Sequence, residues 1–298
     1  MRALVVTNMY PAPQRPSLGI FVRDQVEALS RLGADVEVFA FQPGSPAAYI
    51  AAARQLRRSQ ERYDIVHAHF GLTAWPALAA RARRRVVTLH GTDVTNPRSR
   101  AITRAALPRY DLVAAVSEDL RDRVPRAAAV LPCGVATERF RSLGRAHARE
   151  QLGLDPDGPY ILFPADPQRP EKRYDRAVSI AGDTPLLALR GVEPSEVPLW
   201  VNAANAVLVP SEREGFGLAV LEALACDVPV LATPVGIAPA ALEGIDGTYC
   251  GAFEPAAWRA ALAAHLGSAD PRVQGRARAE DYSADRMAER VLEAWRSL

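Results

Sequence analysis

Short apolar runs at residues 3–7, 36–41, 65–68, 86–89, 112–115 and 130–132 punctuate the first half of the chain, each of strand length. Between them, residues 20–32, 47–56, 72–82 and 102–107 carry apolar side chains at helical spacing. That alternation predicts a parallel sheet covered by helices. The turn-rich stretch Leu154-Asp155-Pro156-Asp157-Gly158-Pro159 interrupts the pattern and reads as a boundary or linker. A second series follows, with strands predicted at 160–163, 185–189, 206–209, 229–232 and 248–250 and helices near 172–182, 196–203, 217–226 and 255–266. Residues 284–297 place Met287, Val291, Leu292 and Trp295 in one stripe, a terminal amphipathic helix that must dock on the body. The expected architecture is α/β, two doubly wound domains at 1–150 and 151–283 facing across a cleft, with the docking place of residues 284–298 left open by the pattern.

Composition narrows the function more than the fold. With 298 residues, 49% hydrophobic and 23% charged, the chain is globular and long enough for about two domains. Lys+Arg 36 against Asp+Glu 34 leaves +2, too balanced for a protein that neutralises many nucleic-acid phosphates, so no nucleic-acid partner is expected. No apolar run is long enough to span a bilayer and no leader-like pattern follows Met1, which predicts a cytoplasmic protein. Cys133, Cys226 and Cys250 are odd in number and lack paired spacing, which predicts reduced thiols rather than a disulfide frame or a zinc ribbon. Lys172 is the only lysine among many arginines. Codon bias with one survivor is one explanation; the other is a site that needs a compact ammonium rather than a planar fork.

The most informative window runs from Val209 to Ala223, where a strand ends, a glycine-containing turn follows, and a helix begins near Gly217. Unpaired N–H groups at such a helix start favour a phosphate or a sugar hydroxyl, and glycine lets a ligand approach the backbone. Glu214 precedes the helix and Glu222 lies inside it, a spacing suited to gripping two parts of one extended ligand; a dipole-favouring acid and a solvated helix glutamate would look the same. His67-Ala68-His69 puts two imidazoles on one strand face, where a metal pair competes with cleft-lining or structural use, and no metal site is assigned. Asp155-Pro156-Asp157 reads as turn chemistry rather than a metal motif. No GxxxxGK[ST] or GxGxxG occurs, which disfavours a P-loop kinase and a standard dinucleotide dehydrogenase. The basic run 81–85, with Arg54, Arg57, Arg58 and Arg62 on a predicted helix, suits either an anionic membrane or a solvated face.

Pro210-Ser211, Glu214-Gly215-Phe216-Gly217, Leu221-Glu222-Ala223 and Pro229-Val230-Leu231-Ala232-Thr233 together resemble the nucleotide-sugar signature of family-4 (group 1) retaining glycosyltransferases. The resemblance implies a GT-B fold of two Rossmann-like domains, with residues 284–298 packing back on the first, and a donor site of Gly19, Gly215, Phe216, Gly217, Leu218 and Glu222, with Glu214 orienting the sugar and Glu222 the ribose. The segment 164–173 is similar to the one in which that family holds the donor diphosphate with an arginine and a lysine, which implies Lys172 with Arg169, or Arg173 in its stead. Thr88-Leu89-His90-Gly91-Thr92-Asp93 implies that His90 meets the donor sugar or orients the acceptor, where a bland loop histidine is the alternative. Gly19, in the loop before Ile20-Phe21-Val22-Arg23, would permit close approach of the diphosphate or acceptor. The opening residues and 164–167 look most like teichuronic-acid-type cell-surface polysaccharide transferases.

Two departures qualify the likeness. Cys133 and Ala136 stand where the family usually has Asn and Asp, and the connection from Lys172 to Trp200 is short, so the second domain is expected to be compact. What the resemblance implies is a retaining, metal-independent enzyme of hexosyltransferase type that needs no cofactor. It would move a sugar from a nucleoside-diphosphate donor to a sugar, lipid-linked or small-molecule hydroxyl acceptor, with peripheral membrane contact at the inner face of the membrane. The alternatives are a non-catalytic sugar-nucleotide-binding or scaffold protein of the same fold and an enzyme that holds pyridoxal phosphate on Lys172, as phosphorylases of this architecture do.

Overall fold

Six apolar segments pair side by side, all parallel, as β1 (Arg2–Thr7), β2 (Asp35–Ala40), β3 (Arg62–His69), β4 (Arg81–Leu89), β5 (Leu112–Ala115) and β6 (Ala129–Val130). Their order is β2-β1-β3-β4-β5-β6. A second parallel sheet contains β7 (Ile161–Phe163), β8 (Leu186–Ala188), β9 (Ala206–Val209), β10 (Val230–Ala232) and β11 (Tyr249–Cys250), in the order β11-β10-β9-β7-β8. The computed structural model describes all 298 residues. They divide into two units, Met1–Gly134 with Ala284–Leu298, and Val135–Ser283.

Both sheets share the doubly wound order 2-1-3-4-5 in their own numbering, extended by a sixth strand in the first, with winding reversed between β1 and β3 and between β7 and β9. In such sheets the crevice beyond the carboxyl ends of the two strands that flank the reversal is the natural ligand site. The middle strands are apolar on both faces because helices cover both: Ala3 to Val6, Ala206 to Val209 and Val230 to Ala232 are all buried.

The longer helices are α1 (Ile20–Arg31), α2 (Pro46–Arg58) and α3 (Pro97–Ala106) in the first unit, and α4 (Arg145–Gln151), α5 (Tyr174–Ala181), α6 (Val197–Ala203), α7 (Leu218–Ala225) and α8 (Pro255–Leu266) in the second. The last, α9 (Ala284–Arg296), belongs to the first unit. Its stripe of Met287, Val291, Leu292 and Trp295 packs with Ala28 and Leu29 of α1 and Ile65 of β3, and Arg31 pairs with Asp285 at 2.6 Å.

The expected boundary at 150 lies too late. Residues from Val135 onward belong to the second unit because two arginines of α4 anchor it there. Arg145 and Arg149 are each 2% exposed. Arg145 donates to the carbonyls of Ala204 and Pro271 at 3.1 and 3.0 Å, and Arg149 donates to Ala203, Pro156 and Asn205 Oδ1 at 2.9, 2.7 and 2.7 Å. These carbonyls, two of them at the end of the α6 hydrogen-bond ladder, would otherwise be buried without a donor. The 154–159 stretch is therefore a turn inside this unit, closed by Asp157 N–H on Asp155 Oδ1 at 3.0 Å.

A second difference concerns residues 72–82, which form a 3₁₀ turn (Gly71–Thr73) and one helical turn (Ala74–Ala77) before β4 begins at Arg81. The arginines of 81–85 therefore sit on a strand paired with β3, Arg62↔Arg81 through Val66↔Arg85, and Arg62 is on β3 rather than on a helix. Arg84 pairs with Asp111 at 3.0 Å, and Arg85 donates to the Ala80 carbonyl at 3.1 Å. Arg54, Arg57 and Arg58 of α2 remain exposed. No helix is long and apolar enough to cross a membrane. Cys133 and Cys226 are buried and Cys250 exposed, none of them bonded to another.

Candidate active site

In the second unit the chain leaves β7 through Pro164 and Asp166 into a 3₁₀ turn, Pro170–Lys172, and Arg173, at φ 57°, turns it into α5. The loop after β9 runs alongside, tied by Glu212 N–H to the Glu171 carbonyl at 2.9 Å and by Arg176 to the Pro210 carbonyl at 3.1 Å. The reversal of winding thus brings together residues 42 apart in sequence: Lys172 Nζ donates to Glu214 Oε1 and Oε2 at 2.6 and 2.7 Å. Ser211 Oγ donates to the same Oε1 at 2.7 Å. Thr233, after β10, holds the Ser211 carbonyl at 2.5 Å. The Lys172 and Glu214 side chains are 15% and 9% exposed, so the pair is partly desolvated but still reachable from solvent.

Gly217, at φ 97°, caps the start of α7; Val220 N–H reaches back to the Gly217 carbonyl at 3.1 Å, while the amides of Leu218 and Ala219 have no helical acceptor one turn back. A Cβ on Gly217 would meet only ordinary contacts, 3.6 Å from Glu214 Cγ, so its backbone is open on that side. Gly236 is the opposite case. At φ 61° it lies so close beneath the loop that a Cβ would overlap the Phe216 carbonyl and come within 2.9 Å of Glu214 Cβ.

Of the expected donor-site residues, Lys172, Glu214, Gly215, Gly217 and Leu218 gather at this turn, and Glu222 lies half-buried on the second turn of α7. Phe216 is different: its side chain is 5% exposed and faces Tyr282, with ring centroids 6.4 Å apart, so only its main chain can meet a ligand. Arg169 is turned to Glu171 Oε1 at 2.7 Å and is 56% exposed, while Arg173 forks onto Asp175 at 2.9 and 2.7 Å. Each arginine is thus engaged by an acid two residues on, and neither touches Glu214.

In the first unit, Gly19 caps α1 at φ 69°, and a Cβ there would overlap the Met9 carbonyl. Close packing of the β1–α1 loop on itself therefore already requires this glycine. His90 follows β4, half-buried, its ring 4.9 Å from that of Phe21 in the first turn of α1. Its Nε2 lies 3.1 Å from His69 Nδ1, and His69 Nε2 lies 3.1 Å from Gln25 Nε2. His67 stacks on His69 at 4.4 Å and engages Thr88 Oγ1 at 2.7 Å. The two histidines of β3 thus serve internal hydrogen bonding. Burial pulls His69 down to about 3, and it pulls His67 and His90 well below the usual histidine range, so all three rings are neutral near pH 7.

Asp93 is fully buried without a cation and accepts N–H from Gly71, His90 and Gly91 at 2.9, 3.0 and 2.7 Å. Burial raises its carboxyl above the ordinary value, against the pull of those amides. Sequence reading assigned no role to Gln25, Asp93, Ser211 or Thr233. The only available signals were the Asp three residues after His90, a turn-capping spacing, and a Ser three residues before Glu214.

Residues 42–139 match the model of Glycosyltransferase Family 4 and residues 165–268 that of Glycosyl transferases group 1, together more than half of the chain. A D-inositol 3-phosphate glycosyltransferase of Xylanimonas cellulosilytica is 25% identical, over 93% of this chain and 91% of its own. TuaC of Bacillus subtilis, whose name assigns it to teichuronic acid biosynthesis, is also 25% identical, over 79% and 82%. Among solved structures, HepE of Anabaena in complex with UDP and glucose aligns at TM-score 0.75 and 16% identity over the full length of both chains. Sucrose-phosphate synthase of Thermosynechococcus elongatus aligns at 0.71 and 19%, over 100% of this chain and 99% of its own. The alignment to the Xylanimonas protein runs to 378 positions against 298 residues here, which requires that this chain lack segments its relative has. The chain belongs to the group 1, family-4 glycosyltransferases and is a transferase enzyme of GT-B fold.

Proposed function

We propose that this enzyme transfers a sugar from a nucleoside-diphosphate donor to a hydroxyl acceptor with retention of configuration and without a metal or other cofactor. The observation that carries the proposal is the Lys172–Glu214–Ser211 cluster beside the open amides of α7, at the point where the winding of the second sheet reverses. A diphosphate entering there finds an ammonium and helix-start amides, both suited to charge that grows as the leaving group departs. Glu214 is then released to accept from sugar hydroxyls, and Glu222, farther along α7, to accept from the ribose.

A front-face reaction asks little of a protein base, since the departing phosphate oxygen can take the acceptor proton, and positioning and electrostatics supply the rate. Arg169 and Arg173 are both close in sequence to the ammonium, and either reaches the diphosphate only by leaving its carboxylate partner. His90 and the start of α1 supply neutral hydrogen-bonding groups for the sugar or acceptor. A role in cell-surface polysaccharide or glycoconjugate synthesis is proposed from the name of TuaC, and action in the cytoplasm at the membrane face from exposed Arg54, Arg57 and Arg58.

The pyridoxal alternative is weakened by the geometry, because the Lys172 amine is engaged by both carboxylate oxygens instead of standing free to attack a carbonyl. A non-catalytic binder would show donor-dependent stabilisation without release of free sugar. The decisive experiment is a thermal-shift panel of UDP-, GDP- and ADP-sugars to find the donor, followed by turnover of Lys172→Ala. Loss of about 10²-fold in kcat/KM, the usual scale for one transition-state donor, is expected with the fold intact. A variant as active as wild type overturns the assignment.

A further inference from the structure

The three-membered chain Gln25–His69–His90 has a direction. A neutral imidazole has one N–H donor and one bare acceptor nitrogen, so fixing the role of either nitrogen fixes both. The carboxamide nitrogen of Gln25 can only donate, and it faces His69 Nε2 at 3.1 Å. His69 Nε2 therefore accepts, its proton is on Nδ1, and that N–H donates to His90 Nε2 at 3.1 Å. His90 Nε2 is then an acceptor, and the only place left for the His90 proton is Nδ1. No protein group accepts from that nitrogen: the nearby Asp93 carboxylate receives backbone N–H groups of Gly71, His90 and Gly91, and the Phe21 ring covers one side of the imidazole.

We propose that Gln25 and His69 are positioning residues that lock His90 in its Nδ1–H tautomer, so that its free edge offers a hydrogen-bond donor, not a base, to a hydroxyl or phosphate oxygen of the ligand. The nature of that ligand rests on the proposed function; the lock itself does not. It reverses as a unit, because a donor-to-acceptor change at residue 25 must propagate through His69 to His90. Burial keeps the chain neutral, since Gln25 is 7% and His69 0% exposed. The other groups around it bring no competing proton: His67 spends Nε2 on Thr88, and Asp24, beside Gln25 on α1, is paired with Arg23 at 3.3 Å.

The test is long-range proton–nitrogen correlation NMR at neutral pH on the full chain labelled with ¹⁵N-histidine. With five histidines in the sequence, a His90→Gln spectrum identifies the His90 signals by their loss. The expected result is a protonated Nδ1 and a bare Nε2 on His90, opposite to the tautomer that free histidine favours. In His69→Phe, which keeps a ring stacked on His67 and removes the donor, His90 should move to Nε2–H. Gln25→Met, similar in length without polar atoms, should populate both forms. An Nε2–H His90 in the wild type, or a His90 that stays wholly Nδ1–H in His69→Phe, overturns the proposal. A purely structural role for Gln25 would lower the melting temperature and leave the tautomer unmoved. If the tautomer is as expected but the wild type transfers no sugar, the proposed function fails and this inference stands.

Discussion

Lys172 is paired with Glu214, so a diphosphate must compete for its ammonium, and that competition has a measurable size. Both oxygens of Glu214 receive Nζ, at 2.6 and 2.7 Å, within a pair 15% and 9% exposed. A hydrogen bond to a charged group is worth about 1.5–3 kcal/mol net, and a diphosphate that recruits Lys172 must weaken this one first. Glu214→Gln keeps the shape, keeps an oxygen for Ser211 and Lys172, and removes the charge. If about 1.4 kcal/mol of the competition is lifted, the bare nucleoside diphosphate should bind about tenfold more tightly. Isothermal titration with the diphosphate of the preferred donor reads this directly, and the gain should shrink as salt is raised. The same substitution removes the charge proposed to accept from the sugar, so kcat/KM with the intact donor should fall at least about tenfold. Tighter product with slower transfer is the expected signature. Diphosphate affinity unchanged or weakened in a variant that melts like wild type would refute the idea that the two ligands of Lys172 compete.

Gly236→Ala should act on the same loop without touching a ligand. Its Cβ would overlap the Phe216 carbonyl at a φ of 61°, so destabilisation of at least about 1 kcal/mol with loss of transfer is expected by chemical unfolding and by turnover. The buried histidines make the first unit acid-labile. His69 is held down to about 3 against about 6.5 when unfolded, so the unfolded chain binds the extra proton between those values. The stabilisation is complete above about pH 6.5 and is lost as pH falls, by about 2–3 kcal/mol at pH 4.5 for this residue. Asp93, held up by burial, runs the other way above 3.8. Melting temperature against pH should therefore slope between 6.5 and 4.5, and His69→Phe should lessen that slope while the part owed to His67 and His90 remains; an equal slope in both proteins refutes the assignment.

What could be read from the sequence was whatever a sheet buried on both faces imposes locally. Runs such as 206–209 and 230–232 are apolar because helices cover both sides, and that constraint is written residue by residue. The unit boundary was misplaced for a tertiary reason. Arg145 and Arg149 look like solvated helix arginines, and their burial is explained only by partners brought in from distant segments: the carbonyls of Ala203, Ala204 and Pro271, the Asn205 amide oxygen and the Asp270 carboxylate. The segment 72–82 misled similarly: its alanines favour a helix, but only one helical turn forms, and from Arg81 onward pairing with β3 overrides that preference. At the site, Glu214 and Lys172 could be singled out from their own neighbourhoods, but no local pattern says that 42 residues of chain close into a bidentate contact. The reversal of strand order between β7 and β9 does that, and strand order is invisible until the sheet is assembled.

The same winding occurs twice, yet the two units equip it with different chemistry. Beyond β7 and β9 stand a cation and a carboxylate, partly open and able to exchange partners. Beyond β3 and β4 stand imidazoles kept neutral by burial and an aspartate satisfied only by amides, with no cation against any of them. An ammonium meets a charge that changes during reaction, because its attraction grows as the leaving group becomes more negative. A neutral imidazole whose tautomer is fixed from behind adds no such field and instead discriminates by donor or acceptor type, which is what a hydroxyl presents. The proposed division of work, charge stabilisation in the second unit and hydroxyl recognition in the first, therefore follows from what each unit allows to ionise. It makes substitutions at Lys172 act on kcat and substitutions at Gln25 or His69 act on which hydroxyl compound is accepted.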